Sequence, residues 1–401
     1  MRILHLIDVG ASTLGIGPEP AGDAALYACR SLVARTRQTE HEICLIGGSN
    51  TRMSAEAHAL DHAMHLRAGP GRIMTAKPAV RRVIAECGEP DVVHCWSEQT
   101  LCLAHAAVPG VPRAATLLQR PTQFGAIGAR SLPTERISRW RLGPALRGTA
   151  LVVLAEDALQ AWEDTFGDFR SIDVAPLPSP AELIETERDA KRRSVGIMPD
   201  EIVLLLLGQT AAQADAMRFM FLLDVLQTSG CACVGIVPRG ASQLARALRF
   251  HAGRRRSWRV FVSERPLPDL LRIADVGVCE GDRSWANPEA LPASTSATLL
   301  IAAAHRAGVP VVAPRSLAVE SLYPHEVAEA CVAFNASLPE LGRKLLPILS
   351  DRSLLESVSA RASAAAAAID GLEFAAMVER AWAAVRRAPA SRADEPATLP
   401  V

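Results

Sequence analysis

At 401 residues the chain is about two to three times the length of a typical domain, which excludes a single small unit. A hydrophobic share of 49% beside 21% charged residues excludes a disordered chain and leaves an ordinary globular protein with large cores. Lys+Arg and Asp+Glu number 43 each, so the net charge is zero and the basic footprint of a nucleic-acid binder is absent.

In chain order, Arg2 to Ile7 reads as a strand. It is followed by a glycine-bearing loop and a helical stripe over Asp23 to Thr36. The alternation continues with a strand at Ile43 to Ile46, a helix around Met74 to Ala85, and strands at Val92 to Cys95 and Ala114 to Leu118. A basic helix over Glu135 to Leu146, a strand at Ala150 to Leu154 and a helix to about Thr165 complete the first half. Strands alternating with helices predict parallel βαβ units. Pro176 to Pro180, written PLPSP, punctuates the chain, because proline fixes φ and removes a donor.

Beyond it the pattern restarts with Ile202 to Leu207, an apolar run suited to a strand covered on both faces. Helices are predicted over Ala216 to Leu226, Ser242 to Ala252, Leu267 to Ile273 and Ser296 to Arg306. Strands are predicted over Cys231 to Val237, Arg259 to Val262, Val276 to Cys279 and Val309 to Ala313. The result is an α/β chain of two tandem doubly wound domains, residues 1–178 and 179–371. A last helix over 372–387 and a polar, Pro-bearing tail over 388–401, expected to be disordered, follow.

The nine cysteines show no Cys-x-x-Cys spacing and read as free thiols. Cys231 and Cys233 alternate in the predicted strand and are expected to pack as small hydrophobes on one face; no metal site is expected. The apolar start is too short for a signal-peptide core and no apolar stretch approaches the roughly 20 residues of a membrane span, so the expected compartment is the cytosol.

In parallel sheets, ligands gather beyond the carboxyl ends of the strands, where helix amino termini offer unpaired N–H groups to anions. Gly10, Gly15 and Gly17 follow the first strand and would let backbone approach a sugar or phosphate. Gly208, Gln209 and Thr210 hold the same place in the second half, and Ser294, Thr295, Ser296 and Thr298 open the helix that runs to Gly308. The bland reading of these hydroxyls is helix capping; the functional one is a phosphate seat. His94 ends a strand at the expected cleft and reads first as a satisfied structural histidine; a catalytic base is the other reading, with His5 as a second basic candidate. Arg136, Arg139, Arg141 and Arg147 read as a solvated basic face, with peripheral contact to acidic lipid headgroups as the other reading. Arg254, Arg255, Arg256 and Arg259 read as cations gathered at a helix carboxyl end.

The stretches RILHLID, PDVVHCWS, ALVVLAED, RRSVGIMPDEIVLLLLGQ, LPDLLRIADVGVCEGD and LLIAAAHRAGVPVVAP together resemble the GT-B fold glycosyltransferases, specifically the large family four of retaining, nucleotide-sugar-dependent enzymes. The resemblance implies two Rossmann-like domains facing across a cleft, the acceptor on the first and the nucleotide sugar on the second, with the helix around Phe374 to Val385 crossing back to the first. It implies no cofactor, the nucleotide-diphosphate sugar being a substrate, and transfer of a hexose to a glycan, lipid or small-molecule acceptor. The sequence departs from the family pattern at its landmarks. Thr295 and Ala303 stand where the family carries two glutamates, Gln209 and Ala214 near its phosphate-neutralising bases, and Leu118 or Gln119 at its first-domain histidine. Arg218 and Arg239 are the cations available as substitutes. These departures set up the alternative of a catalytically inactive homologue serving as partner subunit to an active transferase. An inverting enzyme with a histidine base is the third reading.

Overall fold

The computed structural model describes residues 1–9, 22–47, 51–60, 62–68, 73–118, 142–178, 188–207, 216–238, 244–254, 259–263, 265–279, 295–313, 332–333 and 338–387. Two parallel sheets organise the chain. The first holds β1 (Arg2–Asp8), β2 (Glu40–Gly47), β3 (Met64–Arg67), β4 (Val92–Cys95), β5 (Arg113–Leu117), β6 (Ala150–Val153) and β7 (Ser171–Val174), in the order β3-β2-β1-β4-β5-β6-β7. The second holds β8 (Ile202–Leu207), β9 (Cys233–Pro238), β10 (Arg259–Ser263), β11 (Val276–Cys279), β12 (Val311–Ala313) and β13 (Val332–Ala333), in the order β10-β9-β8-β11-β12-β13. Strand order reverses between β1 and β4 in one sheet and between β8 and β11 in the other. These are the switch points at which doubly wound sheets open a crevice.

The pleat sorts the residues of β1 to opposite faces. Leu4 and Leu6 enter one apolar cluster with Val80, Leu101 and Trp162, while Ile3 and Ile7 enter another with Leu26, Val378 and Trp382. The second face is covered by the helices Gly22–Arg35 and Leu372–Arg386, the latter packed along β4 to β7. Helix Gly22–Arg35 also packs on helix Thr295–Arg306, so one buried cluster runs from Ile3 through Leu26 and Leu300 to Leu205. Arg35 Nε donates to the Asp370 carbonyl at 2.6 Å, tying that helix to the turn before Leu372.

The helix Arg188–Ser194 enters the second sheet through charge rather than an apolar stripe. The Asp275 carboxylate accepts from Arg188 at 2.6 Å, from the Val203 N–H at 2.7 Å and from Arg192. Lys191 reaches Asp269 at 3.0 Å, and Arg272 reaches the same carboxylate at 2.7 Å.

Two expectations need correction. Arg259 opens β10, where a strand was expected, but it does not belong with the cations of a helix end: its guanidinium bonds the Glu201 carboxylate at 2.6 Å as well as the Gly196 carbonyl. The strand expected from Cys231 begins at Cys233, because the Cys233 N–H bonds back to the Cys231 carbonyl at 3.0 Å and makes a turn there. No helix among the described residues is long and apolar enough to cross a membrane. Of the basic helix expected over Glu135 to Leu146, only residues 142–146 lie within the described chain, and these are helical.

Candidate functional site

The candidate residues cluster in chain position around the two switch points. Gly10, Gly15 and Gly17 follow β1, Gly208, Gln209 and Thr210 follow β8, and Ser294 precedes helix Thr295–Arg306; all seven lie outside the described residues. Thr295, Ser296 and Thr298 fall in the first turn of that helix, and Thr298 is buried. Ala303, at the position of a family glutamate, is buried in its third turn.

At the carboxyl end of β4 the backbone is already committed. Ser97 caps the helix Glu98–Ala107 by accepting from the Thr100 N–H at 3.1 Å, and Thr100 Oγ1 accepts from the N–H groups of Ser97 at 3.0 Å and Trp96 at 3.2 Å. This reciprocal cap uses the amides that a bare helix terminus would present to a ligand.

His94 is fully buried under the returning helix, which agrees with its first reading as a satisfied structural histidine and overturns the other, a cleft base. The Trp382 indole N–H donates to His94 Nδ1 at 2.7 Å, and His94 Nε2 meets Thr116 Oγ1 at 3.0 Å. An indole only donates, so Nδ1 is the unprotonated nitrogen and Nε2 carries the hydrogen. Burial first, and His41 second, pull the His94 pKa down to about 3. His5 is equally committed. Trp96 Nε1 donates to its Nδ1 at 3.3 Å, and its Nε2 meets His41 Nδ1 at 3.0 Å. The His41 Nε2 then meets Thr36 Oγ1 at 2.7 Å, and that hydroxyl donates to the Leu32 carbonyl at 2.8 Å. A single set of tautomers satisfies the whole chain, with every imidazole neutral. Burial, then His94 and His41, lower the His5 pKa. These histidines hold helices to the sheet and leave no nitrogen for a substrate.

A further buried histidine is bonded, among the described residues, at one nitrogen only. His58, just past the helix Thr51–Ala57, sets Nε2 at 3.1 Å from Asp23 Oδ1, in the first turn of the helix that follows the Gly10–Gly17 loop. The carboxylate fixes the tautomer with hydrogen on Nε2, leaving Nδ1 as the acceptor atom. Nδ1 is buried without a hydrogen-bond partner among the described residues, as is the Tyr27 hydroxyl, whose ring stands edge-on to the imidazole at 4.6 Å. Burial and the Asp23 charge keep that phenol protonated. The imidazole and the phenol are both buried, so the cluster is a polar island in the core of the first domain. No motif marks His58 in the sequence; Asp23 at a helix start is the weak signal that was available.

The sequence matches no protein-family model and no curated protein. Solved structures similar in fold include Anabaena Alr3699/HepE in complex with UDP and glucose. It shares 14% identity and a TM-score of 0.62, over 95% of this chain and 98% of that one. WaaG, a glycosyltransferase involved in lipopolysaccharide biosynthesis, shares 14% identity and a TM-score of 0.58 over 97% of this chain and 100% of that one. UDP-GlcNAc 2-epimerase from Neisseria meningitidis, bound to UDP-GlcNAc, shares 9% identity and a TM-score of 0.53 over 95% of this chain and 99% of that one. The chain therefore has the two-domain Rossmann-like fold of the GT-B glycosyltransferases, as its sequence resemblance implied.

Proposed function

We propose that the chain is a nucleotide-sugar-dependent glycosyltransferase that moves a hexose from a nucleoside-diphosphate donor to a hydroxyl acceptor. The observation that carries this reading is the fold likeness over nearly the whole chain to HepE, whose structure holds UDP and glucose. The donor is bound by Gly208, Gln209, Thr210, Ser294, Thr295, Ser296 and Thr298, around the β8–β11 switch point, with backbone amides in place of the missing basic clamp. Arg218, in the first turn of helix Ala216–Thr228, supplies a cation to the diphosphate. Gly10, Gly15 and Gly17 line the acceptor side. Each charge-assisted bond to phosphate contributes about 1.5–3 kcal/mol, so a donor held by amides and one arginine binds more weakly than one held by a full clamp.

Isothermal calorimetry with UDP, GDP, ADP and their hexose conjugates tests this. Saturable binding of one nucleotide family supports it. Absence of binding to all of them refutes it and returns the chain to the inactive partner-subunit reading.

A further inference from the structure

We propose that Cys231 and Cys233 form an oxidation site at which a hydroperoxide is reduced and the two sulfurs are joined in a reversible disulfide. The chain leaves the helix Ala216–Thr228 through Ser229 and Gly230, whose φ of +90° is a conformation that suits glycine. The Cys231 N–H bonds the Leu226 carbonyl at 3.1 Å, and the Cys233 N–H bonds the Cys231 carbonyl at 3.0 Å, closing a three-residue turn. Two residues of extended strand span about 6.6–6.8 Å, the upper edge of the roughly 4.4–6.8 Å that a disulfide bridges between Cα atoms; the turn draws the pair inside that range.

The neighbouring Cys233 thiol favours the Cys231 thiolate against the opposing cost of burial. Cys231 and burial together hold the Cys233 proton in place. Gln227 fixes Cys233 from behind, its Nε2 donating to the Cys233 carbonyl at 2.8 Å. Cys231 is partly exposed and Cys233 buried, so solvent reaches the attacking sulfur first. Of the other partly exposed thiols, Cys87 has the opposite electrostatics, its pKa raised by burial and by Glu42.

The chemistry balances with a hydroperoxide as oxidant. The Cys231 thiolate attacks a peroxide oxygen, the S–O bond forms as the O–O bond breaks, and the leaving hydroxide is protonated to water; Cys231 becomes a sulfenic acid. With its proton released, the Cys233 sulfur attacks the sulfenic sulfur, the S–S bond forms, and the S–O bond breaks to give a second water. Two thiols lose two electrons and the peroxide gains them. The site lies at the amino edge of the second sheet, whereas the loops after β8 and β11 leave its carboxyl edge, so its oxidation is independent of donor binding.

The test uses the full-length reduced protein. Iodoacetamide is expected to label Cys231 about tenfold faster than Cys87 at pH 7. After hydrogen peroxide and non-reducing digestion, mass spectrometry is expected to show the peptide carrying both cysteines lighter by two hydrogens, restored by dithiothreitol. In Cys233→Ser, dimedone is expected to trap a sulfenic acid at Cys231; in Cys231→Ser it traps none at Cys233. Both thiols remaining alkylatable, oxidation of Cys87 or Cys102 first, or conversion of Cys231 to the sulfinic acid beside a reduced Cys233 would each overturn the proposal.

Discussion

Lowering the pH from 7 to 5 charges the histidines of an unfolded chain but not those that the fold keeps neutral. His94 is held at a pKa of about 3 and His305 at about 4, in each case mainly by burial, against an ordinary value of 6.5. Both are fully buried. Because the folded values lie below the unfolded one, the unfolded state binds more protons once the pH drops through 6.5, and stability falls until the folded values are reached. Each histidine then costs about 1.4 kcal/mol per pH unit, or about 2 kcal/mol between pH 7 and 5, and the two together about 4 kcal/mol. That is a large share of the roughly 5–15 kcal/mol of a typical folded protein. His5 and His41, both displaced downward mainly by burial, act in the same direction. Urea titrations at pH 7, 6 and 5, followed by circular dichroism, measure the loss. His94→Gln removes one titrating group, so its stability should fall by about 2 kcal/mol less than that of the wild type over the same interval. A variant with the wild-type pH dependence would refute the reasoning, since carboxylates titrate equally in both proteins.

Three further outcomes follow from packing and charge. Asp275→Ala should cost about 3 kcal/mol in urea unfolding, because it strands the buried Arg192 guanidinium and the Val203 N–H; a loss under about 1 kcal/mol would show that water replaces the carboxylate. Gly235→Ala places a Cβ 2.4 Å from Leu223 Cδ1 and 3.0 Å from Phe219 Cε1, so overpacking between β9 and helix Ala216–Thr228 should destabilise by about 1–3 kcal/mol; an unchanged melting temperature would contradict the close approach. Ser97→Ala removes the cap of helix Glu98–Ala107 and should cost about 1 kcal/mol, read as a lower urea midpoint with an unchanged slope.

The central strands were legible because they are buried on both faces and are rich in Val, Leu and Cys: β4, β8 and β11 lie where the sequence places them. The strands β3 and β7, at the two ends of the first sheet, escaped detection for the converse reason. MHLR and SIDV are short and carry polar residues on a half-covered strand. The helix Arg188–Ser194, RDAKRRS, has no apolar stripe to find, and its place is set by carboxylates from 78 to 87 residues away. His94 reads first as a satisfied structural histidine, and the structure agrees, but its partner could not be named from the sequence because Trp382 is 288 residues distant. His58 was missed because its meaning comes from Asp23, 35 residues earlier, and from no local pattern.

Hydrogen–deuterium exchange of the full chain with and without a UDP-hexose addresses the account most directly. Binding at the second sheet's switch point should slow exchange in residues 208–215 and 294–298, and leave the amides of Cys231–Cys233 at the opposite edge unchanged. Unaltered exchange in both segments at a saturating concentration of every uridine, guanosine and adenosine diphosphate sugar would contradict a donor site there.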